Sequence, residues 1–196
     1  MAPLDASKAF DTVNHYKLFS CLLKVDLPLF LVKLLINWYS RLSVFNCWNG
    51  HFSSAFKVEN GVRQGGILSP FLFYLYVNSI ILNVRKDDLG CHVRNVCVGC
   101  ILYAEDIILL SFSINDLQKI LDNCYRTAED LDVFFNCLKC KCIVFGAQRT
   151  IAHDNLTSNG SPLQWVDYLK YLGVMLVPGF SFQLAYTKLD IILLLR

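Results

Sequence analysis

The stretch Cys100–Phe112, CILYAEDIILLSF, contains two adjacent acids between two strongly apolar runs. The runs have the length and composition of buried strands, so Glu105 and Asp106 are predicted to lie in the turn of a hairpin. A solvated turn is the ordinary explanation for such acids. A metal site is the alternative, because carboxylates fixed at the tip of a hairpin are ligands that hard divalent cations prefer. The rest of the sequence decides between the two.

The segments around this hairpin predict one α+β unit in which helices pack on a mainly antiparallel sheet. Apolar residues recur at helical spacing in four stretches, and short strand-like stretches follow the last of them. Helices are predicted over 12–25, 27–42, 70–84 and 114–135, and further strands over 141–146 and 170–176. Asn49-Gly50, between two strand-like runs, predicts a hairpin with a type I′ turn.

Capping residues refine the predicted helix boundaries. Ser69 followed by Pro70 predicts a helix N-cap and a first-turn residue. The last helix is predicted to be capped by Asn115 or Asp116, which come just before its apolar pattern.

The composition is that of a folded protein with a large core or with surfaces that a partner covers. Of the 196 residues, 55% are hydrophobic and only 17% are charged, which argues against disorder. The net charge of +2 does not by itself indicate a nucleic-acid partner, so any basic surface has to be local.

A membrane protein is one alternative. Gly65–Val84 is uncharged over a length that could span a bilayer. Because Ser69-Pro70 interrupts it and Asn78 and Asn83 would lie in lipid, we predict a buried helix and no membrane association. The first residues, MAPLDASKAFD, include acids where a signal peptide needs apolar residues, so we expect an intracellular protein, in the nucleus or cytoplasm, that is not secreted.

A zinc-binding protein is a second alternative. The chain has nine cysteines, an odd number, which are expected to be reduced and mostly buried. Cys97 and Cys100, like Cys137 and Cys140, have the spacing of zinc ligands. Residues three apart on a strand point to opposite faces, however, which argues against the first pair.

Five short stretches contain more polar detail than packing requires: LDASKAFD (4–11), NGVRQGGILSP (60–70), YAED (103–106), NCLKCK (136–141) and YLGV (171–174). In this order they resemble the motifs of the palm domain of reverse transcriptases, closest to those of non-LTR, LINE-like retrotransposons. YAED stands where the family has Tyr-Ala-Asp-Asp. The resemblance implies a partial palm domain over 1–182, followed by an apolar tail over 183–196 that is a remnant of the thumb connection.

The resemblance also implies a reaction and its partners. The family performs template-directed DNA synthesis by two-metal nucleotidyl transfer, using an RNA template, a DNA primer and deoxynucleoside triphosphates. It implies Asp5, Glu105 and Asp106 as the catalytic residues and as the ligands of two Mg²⁺ ions. Asp11, the second acid of the first motif, is expected to be structural.

Further residues match the family's nucleotide-binding and primer-grip positions: Phe10, Gln64, Gly65, Lys139, Leu172 and Gly173. Phe10 matches the bulky residue under the incoming sugar, where an aromatic ring excludes a 2′-hydroxyl and selects deoxynucleotides. Gln64 and Gly65 match the pair that lies along the nucleotide and template, and Lys139 matches the lysine near the pyrophosphate. The last two residues match the turn that holds the primer end.

Departures from the family's pattern lead us to expect an inactive or impaired fragment. Glu105 replaces an aspartate, and its extra methylene displaces the carboxylate by about 1 Å, which can cost on the order of 10²-fold in rate and weakens Mg²⁺ binding. The first motif follows Met1 almost directly, so the family's fingers, like most of its thumb, are expected to be missing. A non-catalytic remnant that binds nucleic acid is the alternative function.

Overall fold

The computed structural model describes residues 1–137, 139–146 and 155–177, together with the backbone of 183–185. The helices are α1 His15–Lys24, α2 Leu29–Ser40, α3 Ser69–Asp87 and α4 Ile114–Asp130. The strands are β1 Ala2–Asp5, β2 Ser43–Val44, β3 Cys47–Trp48, β4 His51–Phe52, β5 Phe56–Lys57, β6 His92–Val93, β7 Val96–Cys97, β8 Cys100–Tyr103, β9 Asp106–Leu109, β10 Lys141–Cys142, β11 Thr157–Ser158, β12 Ser161–Pro162, β13 Gln164–Trp165, β14 Leu169–Tyr171, β15 Val174–Val177 and β16 Gln183–Ala185. The predicted α+β class is confirmed, and among the described strands only β10 and β13 pair in parallel.

The central sheet has three strands in the order β1-β9-β8. Ala2 lies opposite Leu109 at one end of the β1–β9 pair, and Asp5 lies opposite Asp106 at the other. Tyr103 of β8 also pairs with Asp106, which leaves a two-residue turn between β8 and β9. The register therefore brings the first acidic motif to the turn that contains the acidic pair.

The sequence predicts two buried strands on either side of the acids, and this is correct for β9 only. Ile107, Ile108 and Leu109 are buried. In β8, Cys100 is buried, but Ile101 and Tyr103 are 44% and 64% exposed. Exposure alternates along β8, so one face of this strand packs toward the core, where α3 lies, and the other faces solvent.

Helices α3 and α4 pack against each other and against the central sheet. Their buried residues recur every three or four positions, so each helix turns one apolar face to the core. The core combines these faces with the strands, and its fully buried side chains include Leu4, Leu18, Phe73, Tyr76, Ile80, Leu109, Ile120 and Leu121. Helix α1 packs on α3, and α2 packs on α1.

Two predicted helix caps are wrong. Helix α4 is capped by Ser113, whose Oγ accepts a hydrogen bond from the backbone N–H of Asp116 at 3.3 Å, and the cap is neither Asn115 nor Asp116. Helix α3 has Leu68 at its N-cap and begins at Ser69. The Ser69 hydroxyl donates instead to the carbonyl oxygen of Arg63, so the preceding loop, rather than the helix, satisfies it.

Three of the described hairpins have turns with the left-handed backbone that type I′ requires, and one of them, at Asn159 and Gly160 with φ of +48° and +77°, joins β11 to β12. Asn49 and Gly50, with φ of +47° and +79°, join β3 to β4, as predicted. Leu172 and Gly173, with φ of +47° and +81°, join β14 to β15. Strand β16 adds a third strand to the β14–β15 hairpin. Of the predicted apolar tail over 183–196, residues 186–196 lie outside the described residues.

Of the helices in the described part of the chain, none is both long enough and apolar enough to cross a membrane.

Candidate active site

Three acids lie at one end of the central sheet. Asp5 ends β1, Asp106 begins β9 opposite it, and Glu105 is the second residue of the turn between β8 and β9. The neighbouring strand residues Leu4 and Ile107 are buried, whereas the Asp5 side chain is 39% exposed and Glu105 is exposed. The apolar arms thus fix the backbone, and the carboxylates extend from the end of the sheet toward solvent.

The acids interact unfavourably with one another in the absence of a cation. The pKa of Asp106 is raised, chiefly because burial disfavours its charged form and further because Glu105 and Asp5 are negatively charged nearby. A divalent cation would relieve this repulsion.

Lys139 contacts the first of these acids. Its Nζ lies 3.2 Å from Oδ2 of Asp5. The contact is possible because the segment after α4 runs beside β1, where the backbone N–H of Asn136 donates to the carbonyl oxygen of Asp5 at 2.8 Å. The lysine assigned to the pyrophosphate by resemblance is therefore paired with a predicted metal ligand.

A cleft of about 540 Å³ adjoins the acids. It is lined by Ala6, Lys8, Ala9, Phe10, Gln64, Gly65, Gly66, Ser69, Pro70 and Glu105. One cleft thus brings together residues from two separate motifs and a turn: Phe10, Gln64, Gly65 and Glu105. Lys8, for which the sequence motifs predict no role, adds a cation to the same wall.

Three contacts hold the walls of this cleft. The Phe10 ring lies 4.9 Å from the ring of Phe73 on α3, centroid to centroid. The backbone N–H of Val62 donates to the carbonyl oxygen of Phe10 at 2.7 Å, which ties the glycine-rich loop to the first motif. Gln64 Nε2 donates to Oδ1 of Asp11 at 2.8 Å, in agreement with a structural role for Asp11.

Glycine is required where this loop meets the first motif. Gly61 has φ of +90°, and a Cβ added there would lie 2.9 Å from the carbonyl oxygen of Asp11. Gly65 has φ of +75° with open space around it, so its constraint is conformational.

The predicted primer-grip residues Leu172 and Gly173 do not line the cleft. Their neighbour Tyr171 is close enough to the acids for the Asp106 charge to raise its pKa, after the larger effect of burial. The Tyr171 hydroxyl is buried without a hydrogen-bond partner among the described residues. Tyr171 belongs to the last of the five motifs, but the sequence predicts no role for it, because its distance from Asp106 depends on how two separate sheets pack.

The donor set suits a hard divalent cation. All three side chains offer carboxylate oxygens, and Asp106 has a raised pKa that a cation would lower. The only group of three His, Cys, Asp or Glu residues in the described chain with all ligand atoms within 4.8 Å of one another is a different one, Asp88, His92 and Cys97. Sharing of metal ions by Asp5, Glu105 and Asp106 therefore stays a prediction.

Comparison with known families identifies a class of polymerase. The family model described as reverse transcriptase (RNA-dependent DNA polymerase) matches residues 1–176, which is most of the chain. The chain therefore belongs to the reverse transcriptase family.

Its relatives are proteins of LINE-like retrotransposons, as the motifs predict. The chain is 29% identical to the retrovirus-related Pol polyprotein of the type-2 retrotransposable element R2DM of Drosophila melanogaster, over 89% of the chain and 17% of that protein. It is 28% identical to the RNA-directed DNA polymerase of the mobile element jockey of the same species, over 95% of the chain and 20% of that protein. A Pol polyprotein of an R2 element of Popillia japonica is 25% identical, over 87% of the chain and 30% of that protein. The chain thus spans less than a third of the length of these relatives.

Proposed function

We propose that residues 1–182 are the palm part of a retrotransposon reverse transcriptase and that Asp5, Glu105 and Asp106 are its catalytic carboxylates. The observation that supports this most is the β1–β9 register, which sets Asp5 opposite Asp106 and beside Glu105. Glu105 of this group lines a cleft that also contains Phe10 and Gln64. Residues 183–196 are proposed to lead toward the thumb.

The proposed ligands of two Mg²⁺ ions are Asp5, Glu105 and Asp106, and when bound the ions would activate the attacking 3′-hydroxyl and neutralise charge on the transferred phosphate. The partners are an RNA template, a DNA primer and deoxynucleoside triphosphates. Because these substrates occur inside cells, we propose an intracellular location, in the nucleus or cytoplasm.

The protein's own residues position the nucleotide in this proposal. The Phe10 ring, which packs against Phe73, would lie under the incoming sugar and exclude a 2′-hydroxyl by its volume. Asp11 orients Gln64 along the cleft, and the absence of a side chain at Gly65 lets backbone approach the ligand.

The two lysines have different tasks. Lys8 in the cleft wall is positioned to attract phosphate oxygens. Lys139 neutralises Asp5 in the structure described, and it must leave that carboxylate before it can donate a proton to the leaving pyrophosphate.

Glu105 is the residue that limits the proposed activity. Its longer side chain places the carboxylate about 1 Å from where an aspartate would, at a site where positioning and charge supply most of the catalysis. We therefore propose an impaired enzyme, with weaker Mg²⁺ binding than an aspartate would give.

Primer extension tests this proposal in a complete polymerase. The chain replaces the matching segment of the Drosophila melanogaster jockey polymerase, and extension of a DNA primer on an RNA template is measured with Mg²⁺. Glu105→Asp is expected to raise the rate by on the order of 10²-fold, and Asp5→Ala to abolish it. Glu59→Asp changes an exposed acid two residues after β5. This variant is the matched control and should leave the rate unchanged.

Two results would contradict the proposal. Extension that survives Asp5→Ala would remove Asp5 from the catalytic set. Equal rates in Mg²⁺ with and without the Glu105→Asp substitution would mean that the site accommodates the longer acid and that the enzyme is not impaired there.

A further inference from the structure

A second group of potential metal ligands lies between α3 and the central sheet. Asp88 follows the last residue of α3 with φ of +54°, His92 begins β6, and Cys97 ends β7. His92 and Cys97 are partners in the β6–β7 register. The Asp88 carboxylate, the His92 imidazole and the Cys97 thiol each offer a ligand atom, and these atoms all lie within 4.8 Å of one another.

The orientation of the His92 ring suits metal binding. Its Nδ1 lies 3.1 Å from the carbonyl oxygen of Gly90, which can only accept a hydrogen bond, so Nδ1 carries the proton. Metal-binding histidines commonly donate one ring N–H to a backbone carbonyl in this way and present the other nitrogen to the ion. Here the other nitrogen, Nε2, lies 2.7 Å from the carboxylate of Asp88, which also can only accept, so Nε2 shares a proton with it and a bound ion would take the place of that proton.

We propose that Asp88, His92 and Cys97 bind one zinc ion, with a fourth position left for water. One sulfur, one nitrogen and one oxygen ligand form a donor set of the kind that zinc accepts and Mg²⁺ does not. The site is separate from the all-oxygen set of Asp5, Glu105 and Asp106. Asp88 and His92 are exposed and Cys97 is half-buried, so an ion can enter from solvent.

A metal ion at this site would fasten the β6–β7 hairpin to the end of the central sheet. The two ends of this hairpin touch at Gly90 and Gly99, where a Cβ on Gly90 would meet the Gly99 backbone at 2.1 Å. Backbone hydrogen bonds join both ends to Leu110, just beyond β9: Cys91 N–H donates to the Leu110 carbonyl at 3.0 Å, and Leu110 N–H donates to the Gly99 carbonyl at 2.9 Å. An ion bound at Asp88 would connect the end of α3 to this assembly.

The proposal is tested by metal titration of the full chain under thiol-reducing conditions. Zinc binding is measured by competition with a chromogenic chelator, and Co²⁺ serves as a spectroscopic probe because a bound thiolate gives it a near-ultraviolet charge-transfer band. We expect this site to take one ion, to give the Co²⁺–thiolate band, and to raise the melting temperature when filled with zinc. Cys97→Ser should remove the band, and His92→Gln should weaken zinc binding at least about tenfold.

The chain offers matched controls on another hairpin. Cys47→Ser and His51→Gln change an exposed cysteine and an exposed histidine on β3 and β4, and both should leave the band and the affinity unchanged. Circular dichroism establishes that each variant is folded. A Co²⁺–thiolate band that persists in Cys97→Ser, zinc affinity that His92→Gln does not alter, or no binding by the unmodified chain would each overturn the proposal. If the unmodified chain binds no zinc, the group is only an ion pair between His92 and Asp88.

Discussion

The β3–β4 and β8–β9 hairpins have turns of the same length, but different forces hold them together. Asn49-Gly50 joins β3 to β4 with the residues and backbone angles that a type I′ turn favours. The strands themselves are exposed, and Phe52 is 67% accessible. Ala104 and Glu105 join β8 to β9 although Ala104 adopts φ of +50°, which is uncommon for alanine. The β9 arm of this hairpin is buried instead, with Leu109 fully inaccessible.

The difference shows how a turn becomes available for chemistry. Where the turn residues themselves supply the stability, they are restricted to Asn and Gly. Where the arms are held by a core, the turn can accept residues chosen for another reason, such as an acid. The acidic turn at Glu105 is thus stabilised by contacts of its two strands, with β1 and with the helices that pack on the sheet, and not by its own residues.

Truncation of the arms should separate the two hairpins most clearly. Leu109→Ala deletes a fully buried side chain in β9 and is expected to lower the free energy of unfolding by about 2–5 kcal/mol. Phe52→Ala, on an exposed strand, should change it by no more than about 0.5 kcal/mol. Urea unfolding followed by circular dichroism measures both, and equal losses would show that the two arms are held alike.

Substitutions in the turns should change the free energy of unfolding by less than Leu109→Ala does. The order of the two hairpins should be reversed, with the larger loss in the β3–β4 turn. Gly50→Ala forces a side chain into φ of +79° and is expected to destabilise the protein by about 1–2 kcal/mol. Ala104→Gly relieves strain in the folded state but adds freedom to the unfolded chain, so it should shift stability by less than about 0.5 kcal/mol. The same urea titration applies, and a large loss in Ala104→Gly would contradict the view that packing holds this turn.

The smallest effect is expected from the charge at the start of β9. Because the pKa of Asp106 is raised in the folded protein, stability falls as pH rises from the usual aspartate range through the raised value, and the deficit is full at neutral pH. Asp106→Asn should therefore stabilise the protein slightly at pH 7 and lose that advantage in acid. Asp26→Asn, at an exposed aspartate outside the site, is the control, and a variant that is less stable at pH 7 would refute the repulsion among the three acids.

Much of the fold follows from local patterns that the sequence displays. The helices follow from apolar residues at helical spacing, and the Asn49-Gly50 turn from the dipeptide itself. The acidic hairpin follows from Glu105 and Asp106 between apolar runs. The caps at Ser69 and Asn115 or Asp116 were predicted wrongly, because the loop carbonyl of Arg63 binds the Ser69 hydroxyl and because Ser113 precedes α4.

The contacts that assemble the site could not be predicted, because they join residues far apart in the chain. The Lys139–Asp5 ion pair depends on a segment after α4 running beside β1, and Tyr171, on another sheet, is close enough to Asp106 for that charge to raise its pKa. The spacing of Cys97 and Cys100 is that of zinc ligands, although strand geometry argues against this pair. In the structure Cys97 instead meets Asp88 and His92, which a hairpin and a helix end bring together.

Binding of Mn²⁺ tests most directly whether Asp5, Glu105 and Asp106 form a metal site. Electron paramagnetic resonance counts free and bound Mn²⁺, and a Cys97→Ser background removes the sulfur ligand of the proposed zinc site. We expect binding that Asp5→Asn and Asp106→Asn each weaken at least about tenfold, while the control Glu59→Gln leaves it unchanged. Mn²⁺ affinity that is the same in all four proteins would contradict the assignment of these carboxylates as metal ligands.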